Sequence, residues 1–228
     1  MATTKSRPSS PRAGGGKRGA PPRQQRTPVI GFAIGVVVVL AVVAVVASRG
    51  STPKTGEVKG LQQTRPVAVS GTPLRQFAGT GADSAVGTPA PRLRGSTFAG
   101  RPVAIVDDGR PKLVLFVAHW CPHCQREVPV LASWLRSRGK PVGVDLYTVA
   151  TGTTSDRPNY PPSAWLQREG WTVTTMADDD NQTAADAFGL SAYPFFVAVD
   201  GSGKVVARTS GELSISSLEK LIDQARRP

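Results

Sequence analysis

Cysteine is scarce in this 228-residue chain: Cys121 and Cys124 are the only two, beside two histidines and two methionines. With both thiols in one Cys-x-x-Cys, none is left for a structural disulfide elsewhere. No second pair completes a four-ligand zinc site. Haem attachment needs a histidine directly after the second cysteine, and Gln125 stands there. Acidic residues are also missing from a long stretch, the first being Glu57. Eight of the 28 basic residues fall before residue 50, which leaves 20 basic against 16 acidic residues for the remainder. The net charge of +12 is therefore mostly a property of the N-terminal tail. That tail has no aromatic residue before Phe32 on which a nucleobase could stack, so no nucleic-acid partner is expected.

What the chain does have is one long apolar run. Residues 29–47 are uncharged and mostly Val and Ala. As a helix they would span roughly 28 Å, about the hydrocarbon thickness of a bilayer. The basic lead before the run and the single Arg49 just after it place the N-terminus in the cytoplasm and the rest of the chain outside. A cleaved signal peptide is the rival reading, but the basic lead is long and the run exceeds the usual apolar segment of ~7–15 residues. The expected organisation is a basic disordered cytoplasmic tail over residues 1–28 and a transmembrane signal anchor over 29–47. A linker over 48–64 then leads to a folded domain over 65–228 with its core from about 86. The expected location is the cytoplasmic membrane, single-pass, with the folded domain outside.

Within that domain, residues 97–98 and 103–106 read as a small hairpin across Ala99-Gly100-Arg101-Pro102. Residues 113–117, Leu-Val-Leu-Phe-Val, form an apolar run typical of a strand buried on both faces. A helix is expected over 122–138, with Pro122 in its first turn and Val128, Leu131, Trp134 and Leu135 inward. A strand over 142–150, short helices over 163–169 and 182–188, and a weaker strand over 173–176 follow. Residues 195–199 and 205–209 pair across an Asp200-Gly-Ser-Gly203 turn. Ser216-x-x-Glu219 reads as a capping box opening a last helix to about Arg226. Strand-helix-strand followed by strand-hairpin-helix is the layout of a thioredoxin-like α/β fold, a mixed sheet flanked by helices.

The chemistry centres on Trp120-Cys121-Pro122-His123-Cys124. Cys121 starts the helix, where the dipole and free amides favour a thiolate, and is the expected nucleophile. His123 is expected to stabilise that thiolate by a hydrogen bond or a positive charge. Cys124, about one turn on, is the expected resolving thiol, and Trp120 shields the site. Tyr193-Pro194 precedes a core strand, where a proline tolerates the missing ladder bond. The loop over 151–162 leaves the same sheet edge, where α/β ligand sites form. His119 reads as a partly exposed strand-end residue and Glu127 as a surface or helix-pairing charge. Trp165 and Trp171 read as packing residues.

These residues resemble the thioredoxin superfamily and, within it, the membrane-anchored TlpA/ResA-like thiol-disulfide oxidoreductases. The resemblance covers roughly residues 86–228. It rests on Gly87-Thr-Pro-Ala-Pro91, Phe98-Ala-Gly-Arg-Pro-Val103, the strand running into the cysteine motif, Glu127-Val-Pro129, Phe188-Gly-Leu-Ser-Ala-Tyr-Pro194 and the hairpin from Asp200 to Val205. It implies a cis Pro194 beside Cys121, with the Tyr193 backbone able to pair with an extended substrate. Two features depart from the family. The Pro122-His123 dipeptide is the one DsbA-type oxidases carry. Leu115 stands where thioredoxins bury an acid, which makes Glu127 a candidate proton shuttle.

The expected function is a membrane-tethered, extracytoplasmic exchange of disulfides with protein thiols through Cys121 and Cys124. Pro122-His123 favours the oxidising direction, because a stabilised thiolate makes the disulfide a stronger oxidant. A membrane redox partner would recycle it. No cofactor beyond the Cys121–Cys124 couple and no metal is expected. The alternatives are a client-specific reductase of the cytochrome c maturation type, or a Cu(I) carrier using Cys121, Cys124 and His119, since soft thiolates suit Cu(I).

Overall fold

The computed structural model describes residues 60–227. The expectations for residues 1–28 and 29–47, and for most of the linker, lie outside the described residues. Among the described residues no helix is long and apolar enough to cross a membrane.

The strand expected over 113–117 is β4 (Lys112–Val117), and all six of its residues are buried. Alternation along it feeds two cores. Leu113, Leu115 and Val117 face one side of the sheet and pack with Val128, Leu131 and Phe196. Val114 and Phe116 face the other and pack with Val149, Phe188 and Phe195. β4 lies between β5 (Asp145–Ala150), to which it is parallel, and β7 (Phe195–Val199), to which it is antiparallel. β6 (Thr174–Ala177) runs parallel to β5, and β8 (Val205–Ser210) pairs antiparallel with β7. With β1 (Ala68–Ser70), β2 (Arg92–Ser96) and β3 (Pro102–Ile105), the described residues form an eight-stranded mixed sheet. Its order is β1-β2-β6-β5-β4-β7-β8, with β3 on β2. The helices are α1 (Pro122–Arg138), α2 (Pro162–Arg168), α3 (Thr183–Ala187) and α4 (Ile215–Arg226).

Three boundaries differ from expectation. The hairpin's first strand is β2, paired through Leu93↔Ile105 and Ser96↔Pro102. Thr97 and Phe98 lie in its turn, where Phe98 tucks inward at 8% exposure and its carbonyl accepts from the Arg65 guanidinium. β5 starts at Asp145 because Gly143 sits at φ +76°, outside the extended region, and Val142 is 87% exposed. α4 is capped by Ser214, whose Oγ accepts from the Ser217 amide at 3.1 Å. Glu219 instead accepts from the Trp134 indole at 3.4 Å, joining α4 to α1.

The stretch over 71–91 has little regular structure yet is tied to the domain. Leu74 N–H donates to Ala187 O at 2.9 Å and Phe77 N–H to Gly189 O at 2.8 Å. The buried Arg208 binds both oxygens of Asp83 at 2.6 and 2.8 Å and donates to the carbonyls of Arg75 and Phe188. That guanidinium holds the Asp83 carboxyl below its usual range.

Candidate active site

β4 delivers the chain to the edge of the sheet, and Cys121 is the residue that caps α1, at φ −73° and ψ 120°. Pro122 at the first helical position loses nothing by lacking an amide hydrogen. From there helical spacing sorts the side chains. Cys124, Glu127, Val128, Leu131 and Leu135 are buried against the sheet, while His123 and Arg126 face solvent with 58% and 56% of their side chains exposed.

The two cysteines are free thiols in unequal surroundings. Cys121 retains 6% exposure and Cys124 none. Burial pushes the Cys124 thiol far above its ordinary value, against a lowering contribution from the Ala118 backbone. The Cys121 sulfur lies 3.8 Å from the carbonyl oxygen of Tyr193, and the Tyr193-Pro194 bond is cis. Trp120 stands edge-on to Tyr193, with ring centroids 5.7 Å apart at 82°. The Tyr193 hydroxyl donates to Gln182 Oε1 at 3.0 Å, and burial raises its pKa to about 12. Trp165 is buried in the core, and the Trp171 indole donates to Thr148 Oγ1 at 3.0 Å.

The hydrogen bond expected from His123 to the Cys121 sulfur is not made among the described residues. The His123 Nδ1 lies 2.7 Å from Glu212 Oε1 and 2.9 Å from the Arg126 guanidinium. The reason is its place on the outer face of α1, where the turn after β8 brings Glu212 alongside. Arg126 first and His123 second hold the Glu212 carboxyl down to about 2.

Glu127 is likewise not a surface charge. It is 2% exposed, one turn beyond Cys124 on the buried face of α1. Oε2 accepts from the Leu213 amide at 3.1 Å, and Oε1 has no hydrogen-bond partner among the described residues. Burial raises its pKa to about 7, the Leu213 amide acting the other way and Glu212 adding to the rise. Leu115 is buried on the same core face as both cysteines, so the nearby acid comes from α1 rather than from β4.

His119 was expected to be partly exposed and is 1% exposed. The loop over 152–161 folds across it. Its Nδ1 lies 2.7 Å from Pro158 O, and its Nε2 accepts from the Thr154 amide at 3.3 Å. That pattern is the neutral tautomer with the proton on Nδ1. Burial pushes its pKa down. With both nitrogens engaged, His119 is not available as a copper ligand beside the cysteines.

Sequence reasoning missed two participants. Glu212 is 89 residues from His123, and no local pattern announces it. Asp178 is buried and accepts from the amides of Asp179, Ala184 and Ala185, capping α3 next to Gln182. The acidic run Asp178-Asp179-Asp180 before a short helix was the signal available for it.

A helix-start dithiol, one thiol near the surface and one sealed, set against a cis-proline segment on a mixed sheet, defines a thioredoxin-like thiol-disulfide oxidoreductase. Residues 85–222 match the Redoxin family model, and the chain belongs to that family. It is 32% identical over 132 residues to the thiol:disulfide interchange protein DsbE homolog of Paracoccus denitrificans, covering 56% of this chain and 68% of that protein. It is 32% identical over 117 residues to the thiol:disulfide interchange protein HelX of Rhodobacter capsulatus, covering 51% and 61%. The methylamine utilization protein MauD of Methylophilus methylotrophus is 27% identical over 126 residues, 54% of each chain. Among solved structures, a thioredoxin family thiol:disulfide interchange protein from Chlorobium tepidum matches the fold with a TM-score of 0.50 and 24% identity, over 63% of this chain and 99% of that one.

Proposed function

We propose that this protein is a membrane-tethered, extracytoplasmic thiol-disulfide oxidoreductase that oxidises protein thiols. Residues 1–28 are its cytoplasmic tail, 29–47 its anchor, 48–64 its linker and 65–228 its catalytic domain. The observation that carries the reading is the inequality of the dithiol: Cys121 reachable at 6% exposure, Cys124 sealed at 0%.

A client thiolate attacks the Cys121 sulfur of the oxidised pair, and the Cys121–Cys124 bond breaks. Cys124 leaves as a thiolate and, being buried, takes up a proton. Glu127, with a pKa raised to about 7, supplies that proton directly or through one water and recovers it from solvent. The client's second thiolate then attacks its own sulfur in the mixed disulfide and expels Cys121 as a thiolate, which the helix N-terminus favours. Two electrons pass from client to enzyme. A disulfide-donating membrane partner removes them. Trp120, Tyr193 and cis Pro194 shape the face on which the client lies, with the dithiol as the sole redox group.

The oxidising direction rests on Pro122-His123. A specific observation favours the reverse, client-specific reduction: His123 pairs with Glu212 and leaves the Cys121 sulfur without an imidazole partner. A glutathione redox titration decides between them. A potential well above −200 mV, toward the about −120 mV of strong oxidases, is expected; a value near about −270 mV would sink the oxidising reading. A Cys124→Ser variant is expected to trap mixed disulfides through Cys121.

A further inference from the structure

We propose that His119 is a positioning residue that holds the 152–161 loop as a client-selecting wall beside the dithiol, and that Arg157 on this wall selects clients with an acidic side chain near the reacting cysteine. The inference rests on the thiol-disulfide exchange reading and deepens it.

The loop is built against the site at several points. The Trp120 indole donates to Gly152 O at 2.7 Å. Gly152 sits at φ +58°, and a Cβ there would lie 2.9 Å from the Tyr193 hydroxyl, so the loop begins in close contact with the residue whose carbonyl faces Cys121. Further on, the Arg157 guanidinium stacks over the Trp120 ring, 5.6 Å from its centroid. On either side of Arg157 the loop's backbone is held by His119, through Thr154 N–H and Pro158 O, and Tyr160 packs edge-on to the imidazole at 5.9 Å. A buried imidazole that makes both of its bonds to one loop fixes that loop's distance from the sheet edge. Both ring nitrogens of His119 bond to the loop and neither to a sulfur, so it acts through the loop.

The charge on the wall points to the partner. On the opposite flank Arg126 is neutralised by Glu212 at 2.6 Å. Arg157 has no salt-bridge partner among the described residues. The neighbouring Asp156 carboxylate accepts instead from the Thr154 hydroxyl at 2.5 Å. An exposed guanidinium without a salt-bridge partner among the described residues, held over the tryptophan beside the nucleophile, suits an extended client segment carrying Asp or Glu near its cysteine.

The test follows the second-order reaction of the reduced full-length protein with three disulfides. One is the small uncharged bis(2-hydroxyethyl) disulfide. The others are two extended peptides whose single cysteine is in a mixed disulfide with an aromatic thiol, flanked by aspartates in one and by lysines in the other. In each case Cys121 displaces the other sulfur as a thiolate. Wild type is expected to favour the aspartate peptide by about fivefold or more, the scale of one partly exposed charge pair. Arg157→Ala and His119→Phe are each expected to bring that ratio near one while leaving the bis(2-hydroxyethyl) disulfide rate within about twofold. His119→Asn keeps a side-chain amide donor near Nδ1 without the Nε2 acceptor, and should restore part of the preference; it also carries the test if the Phe variant fails to fold. No preference in wild type, or rates falling in parallel for all three disulfides in the His119 variants, would overturn the proposal. A wild-type protein inert to all three would remove the exchange reading itself.

Discussion

His119 and His123 stand four residues apart in the chain and in opposite surroundings. His119 ends the strand side of the site, is 1% exposed, and is held neutral by one donated and one accepted hydrogen bond. His123 starts the helix side, has 58% of its side chain exposed, and joins an ionic cluster with Arg126 and Glu212. The difference extends to the whole flank. The strand side is aromatic, the hydrogen bonds around its histidine join neutral groups, and its charge at the site is the guanidinium of Arg157 over Trp120. The helix side carries charge, with the buried Glu127 beneath it tied to the segment after Glu212 through the Leu213 amide. In the proposed function, proton chemistry and client contact fall on opposite sides of one dithiol. Where each side chain sits, not its residue type, decides which.

Removing the proposed proton carrier should break the helix side most severely. Glu127→Gln keeps the shape and the acceptor for Leu213 N–H but cannot exchange a proton. It is expected to slow thiol-disulfide exchange at neutral pH by about 10²-fold and to erase the transition near pH 7 in the rate profile. An unchanged profile would take Glu127 out of the mechanism.

The next contrast is in stability. His119→Phe removes the imidazole partner of Pro158 O and Thr154 N–H in a part-buried setting, and should cost about 1 kcal/mol or more by urea denaturation. His123→Phe on the exposed flank should stay within about 0.5 kcal/mol. Equal losses would erase the distinction between the two histidines.

The smallest effect is a pair of opposed pH slopes. Glu127 titrates at about 7 when folded against 4.5 ordinarily, so its contribution to stability is full below pH 4.5 and is lost as pH rises through about 7. The folded pKa of His119 lies below its ordinary 6.5, so its contribution is full above pH 6.5 and is lost as pH falls through the folded value. Between pH 4.5 and 6.5 the two partly cancel. Glu127→Gln should leave stability rising with pH in that window, and His119→Asn should leave it falling. Melting curves against pH read this directly, and parallel slopes in both variants would contradict the assigned environments.

Much of this was legible in the chain. The run over 113–117, the cysteine motif and the helix to Arg138 follow from hydrophobic pattern and capping chemistry, which act over neighbouring residues. The hairpin was shifted because Phe98, an apolar residue in a turn, looks like a strand residue until its carbonyl is seen accepting from Arg65. Val142 looks like a strand residue too, and the backbone of Gly143 rules it out.

By itself the sequence determined that one redox-active pair starts a helix after a buried strand, because that depends on spacing and local backbone preference. The surroundings of the pair were decided only by the tertiary structure. Glu212 comes to His123 across 89 residues, the loop after β5 closes over His119, and Glu127 is sealed beneath α1. Burial and through-space charge set the ionisation of such groups, and both are created when distant segments meet.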